Sequence, residues 1–224
     1  MKKITLTGSE GIIGMELSKY LSKKFKIIKL DLKLGHDLTD EKFVKNWFQK
    51  NQSDYLINCF AINDHISKKR ENENLFDLPL ENFSTYLDTN LVSLFSVCRE
   101  FIKNHQKGGI INFSSYLGIV SPNPSLYNNT HKNIGYCVSK SGVIYLTKYL
   151  AVHTAPNFQI NCISPGGILH NQDTNFVKNY SNVVPMKRMM DKNEINSIVE
   201  FLCDKNSKYV TGSNFVIDGG YTSL

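Results

Sequence analysis

The chain has 224 residues, 41% apolar and 21% charged, which is long enough for one domain with a substantial core and ordinary for a soluble protein. Its five cysteines (59, 98, 137, 162 and 203) are odd in number and widely spread, with no Cys-x-x-Cys, so a disulfide scaffold or a zinc site is not expected and free thiols in a reducing cytoplasm are. The formal charge of +6 comes from scattered lysines without a basic-aromatic stripe, and no apolar run reaches the length of a membrane span; neither a nucleic-acid partner nor a membrane is expected.

Lys2 to Thr7 is a short β-rich run that turns polar too early for a secretion signal. Gly8-Ser9-Glu10-Gly11-Ile12-Ile13-Gly14 follows, then an amphipathic helix over Met15 to Lys23. Strand, glycine loop and helix in this order suit a dinucleotide. Glycines let the backbone approach a pyrophosphate, which sits at the helix N-terminus. The expected contacts are Gly8, Ser9, Gly11, Ile12, Ile13 and Gly14. Lys26 to Leu30 reads as the second strand and ends in Asp31. A carboxylate about twenty residues past the loop accepts hydrogen bonds from the adenosine ribose and repels a 2′-phosphate, so NAD is favoured over NADP. Ser9 and Glu10 offer no cation to a 2′-phosphate, whereas Lys33 counts the other way.

Asp40 to Lys50 reads as a helix and Tyr55 to Cys59 as a third strand. Asn63 to Asp77 is polar, without a clear period, and is read as a loop. Pro79 to His105 carries a long helical pattern with Asn90 in its middle, where an asparagine is usually solvated or bonded to its local backbone. Gly109 to Ser114 is a fourth strand, followed by Ser115. Gly135 to Val152 is a helix on which Tyr136 and Lys140, four apart, share a face. An ammonium beside a phenol stabilises the phenolate, so the pair is a proton-transfer device. Asn157 to Ser164 is a fifth strand, followed by Pro165-Gly166-Gly167. Gln172 to Met190 reads as a mobile cover with some helix, Asp191 to Asp204 as a helix, and Asn214 to Ile217 as a last strand. Alternating strands and helices define an α/β domain over residues 1–224, with a doubly wound parallel sheet and helices on both faces.

These pieces together resemble the short-chain dehydrogenase/reductase family, whose fold is a Rossmann fold. Thr7-Gly8 with Gly11 and Gly14 resembles the cofactor loop. Asp37-Leu38 resembles the adenine-side pair, and Asn58 to Ala61 occupies the place of the family's Asn-Asn-Ala-Gly segment. Asn90, Ser115, Tyr136 and Lys140 match the catalytic tetrad. Pro165-Gly166, with Ile168 after it, resembles the nicotinamide-side turn, and Thr211-Gly212 with Asp218-Gly219-Gly220 the C-terminal signature. A closer resemblance is to the flagellin modification protein A branch, carried by Gly135-Tyr136 to Ala151, Ser164 to Leu169 with Asn171-Gln172, and the long insert before Tyr136.

The resemblance implies an oxidoreductase that moves a hydride between nicotinamide and a carbonyl or secondary alcohol. Tyr136 would exchange the proton, Lys140 would lower the pKa of Tyr136 and hold the ribose, Ser115 would bond the substrate oxygen, and Asn90 would hold a water. It also implies a carbohydrate-derived substrate and a homotetramer or homodimer built on the helices around Asn90 and Tyr145, through Leu91, Leu94, Phe95, Val143, Ile144 and Leu146. The insert Pro122 to Lys132 offers Tyr127, Asn128, Asn129, His131 and Lys132 to a sugar. A 3-oxoacyl carrier reductase and an epimerase or dehydratase are the alternatives. The spacing Gly-x-x-Gly-x-x-Gly is more usual in the extended, epimerase-like branch. Only 88 residues follow Tyr136, short of the larger C-terminal substrate domain such enzymes carry. His170 replaces a cofactor-contacting threonine, so that contact is not carried over.

Overall fold

A computed structural model describes residues 1–64, 74–127 and 131–224. Its centre is a six-stranded, wholly parallel sheet in the order β2-β1-β3-β4-β5-β6. The strands are β1 (Lys3–Thr7), β2 (Lys26–Leu30), β3 (Tyr55–Asn58), β4 (Gly108–Phe113), β5 (Phe158–Pro165) and β6 (Asn214–Ile217). The helices are α1 (Ile12–Leu21), α2 (Glu41–Lys50), α3 (Leu80–Leu87), α4 (Ser93–Asn104), α5 (Ile134–Thr154), α6 (Thr174–Val183) and α7 (Asn196–Leu202). Strand order reverses direction between β1 and β3, which opens a crevice at their carboxyl ends.

Successive strand residues face opposite sides, so the sheet carries two cores. Leu56, Ile110 and Ile160 pack with Val44, Phe48, Val97, Phe101, Val143 and Leu150 from α2, α4 and α5. Their neighbours Ile57, Ile111 and Ile163 pack with Leu17 and Leu21 of α1 and Val199 and Leu202 of α7. The doubly wound expectation therefore holds, with strand boundaries within a residue or two of those read from the sequence.

The long helical pattern around Asn90 is not one regular helix. A π-helical turn, Asp88–Val92, joins α3 to α4, and the Ser93 N–H and hydroxyl both donate to the Asp88 carbonyl. Nor is Asn90 solvated: it is buried. Of the apolar positions expected between subunits, Leu94 and Val143 belong to the core, and Leu91, Ile144 and Leu146 pack half-buried against it. Phe95 is exposed, in the company of Val92, Tyr145, Tyr149 and Val152. The expected Asn63 to Asp77 loop lies largely outside the described residues; Leu75–Asp77 forms a 3-10 turn.

Candidate active site

The cleft at the ends of β1 and β3 is built mainly from backbone. Gly8 turns with φ of 65°, and a Cβ there would lie 2.4 Å from the Phe60 nitrogen, so only glycine lets β1 turn against the end of β3. A Cβ on Gly14 would lie 2.1 Å from the Gly8 carbonyl oxygen. Gly14 thus seats α1 on the loop and does not itself face the crevice. A Cβ on Gly11 would meet only the Gly8 oxygen, at 3.3 Å, leaving its other side open to a ligand. Helix α1 starts at Ile12 with no side-chain cap, so the first-turn N–H groups and the positive end of the helix dipole are offered to an anion. Ser9 Oγ is buried with no partner, an orphan hydroxyl in the same loop.

Asp31 joins this loop to the next turn. One carboxylate oxygen accepts the Glu10 N–H at 2.9 Å and the other the Lys33 N–H at 2.9 Å. A carboxylate has about four acceptor positions, so room remains for a ribose diol. The Lys33 ammonium is directed to the Glu10 carbonyl at 3.4 Å. Asp37 is exposed and accepts the N–H and hydroxyl of Thr39 at 2.9 and 2.6 Å, bonds that hold its carboxyl below the usual range, while Leu38 is buried. Gly8, Gly11, Asp31, Asp37, Leu38 and Phe60 line one cleft of ≈ 230 Å³. Orphan hydroxyl, open helix end and carboxylate together fit a dinucleotide.

Asn58 does not share that cleft. Its carboxamide is buried, accepts the Thr7 hydroxyl at 3.0 Å and donates to Asn112 Oδ1 at 2.9 Å, and Asn112 in turn donates to Thr147 at 3.0 Å. Its role is to tie β1, β3, β4 and α5 together inside the sheet. The strand-end residues that reach the cleft are Cys59, Phe60, Ala61 and Ile62.

The tetrad residues come from three elements. Ser115 follows β4 and caps a 3-10 turn by accepting the Leu117 N–H at 3.2 Å, and its hydroxyl lies on the side of the Tyr136 phenol, whose pKa it lowers. Tyr136 and Lys140 lie a turn apart near the start of α5, where Asn133 caps the helix by accepting the Gly135 N–H at 2.8 Å. The Ser114 hydroxyl donates to the Lys140 carbonyl at 2.7 Å and Lys140 Nζ donates to the Phe113 carbonyl at 2.8 Å, so α5 is fastened twice to the end of β4. Asn90 spends its side chain on structure: it accepts the Ile62 N–H at 2.8 Å and donates to the Ile62 carbonyl and Ser139 hydroxyl, each at 3.1 Å.

The electrostatics differ from the sequence expectation. Burial pushes the Tyr136 phenol up to about 12, opposed by the Ser115 hydrogen bond. Lys140, with Nζ 5.8 Å from the Tyr136 ring centroid, is not among the groups that lower it. Burial also pushes Lys140 itself down from 10.5 to about 8. A desolvated phenol keeps its proton, which suits a proton donor.

On the far side, β5 ends at Pro165, and the Gly166 N–H donates to the Ile217 carbonyl at 2.8 Å. Ile168 bridges to Met190, and its carbonyl accepts the Gln172 side chain at 2.7 Å. The expected mobile cover is in fact fastened down: Tyr180 of α6 is 1% exposed and lies in an aromatic cluster with Tyr116, Phe176 and Tyr221. Tyr127 of the insert is also buried there, its ring 6.0 Å from that of Phe176, so it is not available to a sugar. Asn128 and Asn129 lie outside the described residues. Lys132 reaches Asn63 Oδ1 and, at 3.0 Å, the Asp64 carbonyl, with Nζ 4.5 Å from the Tyr136 ring centroid. Nothing local in the sequence marks Tyr116, Tyr180 or Tyr221 as neighbours. Among the described residues no group of His, Cys, Asp or Glu could hold a metal ion, and no helix is long and apolar enough to cross a membrane.

A six-stranded parallel sheet with a cleft at the ends of β1 and β3, and with Ser115, Tyr136 and Lys140 at the end of β4, is the architecture of a nicotinamide-type oxidoreductase. Residues 15–222 match the family described as enoyl-(acyl carrier protein) reductase. The chain belongs to the short-chain dehydrogenase/reductase family. It is 28% identical to the post-translational flagellin modification protein A of Campylobacter coli, over 98% of each chain. A short-chain dehydrogenase from Leptospira borgpetersenii, solved with bound NAD+, superposes with a TM-score of 0.87 at 32% identity, over 99% of this chain and 92% of that one. A 4-hydroxyisoleucine dehydrogenase complexed with NADH superposes with a TM-score of 0.84 at 28% identity, over the whole of both chains.

Proposed function

We propose that the chain is an NAD(H)-dependent oxidoreductase acting on a secondary alcohol or carbonyl of a carbohydrate-derived small molecule. The observation that carries this reading is the buried Ser115, Tyr136 and Lys140 group at the carboxyl end of β4, in the same sheet whose β1 and β3 ends line the cleft that presents Asp31. Bound nicotinamide supplies or takes the hydride. Tyr136, kept protonated by burial and fixed by Ser115, gives its proton to a carbonyl oxygen in reduction and takes it back in oxidation. Ser115 donates to the same oxygen as charge develops there. Lys140 holds the ribose and places a positive charge behind the phenol, while Asn90 sets the spacing between the β3 end and α5. Asp31 favours NAD(H), because Lys33, the lysine among the described residues that line its cleft, is already bonded to the Glu10 carbonyl.

The sugar reading rests on likeness to the flagellin modification relative and on Lys132 at the rim of Tyr136, where an acyl chain would want an apolar wall. The exposed Val92, Phe95, Tyr145, Tyr149 and Val152 on α4 and α5 and the turn before α4 support a homotetramer or homodimer, and five free thiols support a reducing, cytoplasmic setting. The test is turnover of NAD+ and NADH against free, phosphorylated and nucleotide-linked sugars, with 3-oxoacyl thioesters as the contrast. Turnover confined to the thioesters overturns the sugar reading. Light scattering at micromolar concentration tests assembly, and a monomer overturns it.

A further inference from the structure

The turn that follows β5 is filled by a side chain from the cover. The Gly167 N–H donates to Tyr180 Oη at 2.7 Å. A Cβ built on Gly166 would lie 3.0 Å from that same oxygen, and one on Gly167 would lie 3.0 Å from Tyr180 Cζ. Both glycines stand against the phenol, together with Asp218 Cα at 2.8 Å from a Gly166 Cβ and Met189 Cε at 2.9 Å from a Gly167 Cβ. Its ring cannot turn away, because it lies between Tyr221, at 5.6 Å and 21°, and Phe176, at 6.2 Å and 29°, with Tyr116 edge-on. The strand of cover beyond α6 returns to the same turn: the Met190 N–H donates to the Gly167 carbonyl at 2.9 Å, and the Leu169 N–H to the Met190 carbonyl at 2.9 Å.

We propose that Tyr180 is a positioning residue for the nicotinamide half of the cofactor: its phenol oxygen fixes the Pro165 to Ile168 turn, and so couples the cover and the C-terminal turn to cofactor seating. The inference rests on the proposed reading of the crevice, in which this turn borders the nicotinamide. A buried N–H that loses its acceptor costs more than the hydrogen bond itself contributes, so the turn shifts when the hydroxyl is removed. The adenosine half, bounded by Gly8, Asp31 and Leu38, shares no contact with Tyr180 and does not shift.

The test is Tyr180→Phe in the full chain, with NADH and ADP-ribose titrated separately by fluorescence and calorimetry, and melting followed alongside. ADP-ribose carries the adenosine and pyrophosphate but no nicotinamide. NADH affinity is expected to fall about fivefold or more, a loss of the size of one hydrogen bond, with ADP-ribose affinity unchanged. Equal losses for both ligands would make Tyr180 merely structural, and no loss for either would show that the turn does not depend on it; each outcome overturns the proposal. If Tyr180→Phe does not fold, Gly167→Ala decides. It keeps the phenol but pushes the turn off it, and must give the same split between the two ligands. Failure of wild-type chain to bind NADH while binding ADP-ribose would instead sink the underlying reading of the crevice.

Discussion

The two halves of the crevice are made differently. The proposed adenosine half is backbone and one carboxylate: Gly8 and Gly11 between β1 and α1, an uncapped helix start, and Asp31 bonded to the N–H groups of Glu10 and Lys33. The proposed catalytic half is side chains brought from β4, α5, α6 and the last turn, packed as a tyrosine-rich cluster that includes Tyr136. The first needs only that the chain turn tightly. The second needs four distant segments to meet. Substitutions in the two halves should therefore separate binding from chemistry.

The largest separation is expected from Tyr136→Phe. Removing one proton donor lowers kcat by about a hundredfold or more while NADH binding stays within a small factor. Near wild-type kcat on a validated substrate would show that the proton moves elsewhere. Asp31→Ala should do the reverse. Loss of a charged acceptor weakens NAD(H) by about tenfold and narrows its lead over NADP(H), with kcat at saturation little changed. Wild-type protein binding NADP(H) as tightly as NAD(H) would break the assignment of Asp31.

Gly8→Ala sharpens the contrast from the side of stability. A Cβ at φ of 65° and 2.4 Å from the Phe60 nitrogen cannot be accommodated without moving β3, and about 1–3 kcal/mol of stability should be lost, read by denaturant unfolding. An alanine at Gly11, with only one contact at 3.3 Å, should cost the fold much less, so equal losses at the two glycines would contradict the geometry.

The smallest effect is pH-dependent. Lys140 titrates at about 8 when folded and at 10.5 when unfolded, so the unfolded chain binds more protons between these values. Stability tied to Lys140 is then lowest below pH 8 and is recovered as pH rises toward 10.5. Lys140→Met should melt a few degrees above wild type below pH 8, and the gap should close at higher pH. A gap independent of pH would mean that Lys140 keeps an ordinary lysine pKa.

Much of this protein was legible in the chain because the signals are local. The run Lys2 to Gly14 carries strand, loop and helix within one short stretch, and Asp31 ends the next strand, so the adenosine half could be read residue by residue. The order Asn90, Ser115, Tyr136 and Lys140 within alternating strands and helices pointed to the family that the later comparisons bear out. Other features depended on residues far apart in sequence. Asn58, read as a cofactor residue, has its carboxamide taken by Thr7 and Asn112, and Asn90, read as a tetrad member holding a water, is carried by a π-turn onto Ile62 and Ser139. Tyr127 passed for a sugar ligand, and Tyr180 for an ordinary residue of a mobile cover. Their hydrogen bonds are set by which elements pack together, and a pairing across dozens of residues leaves no period or spacing in the sequence to read.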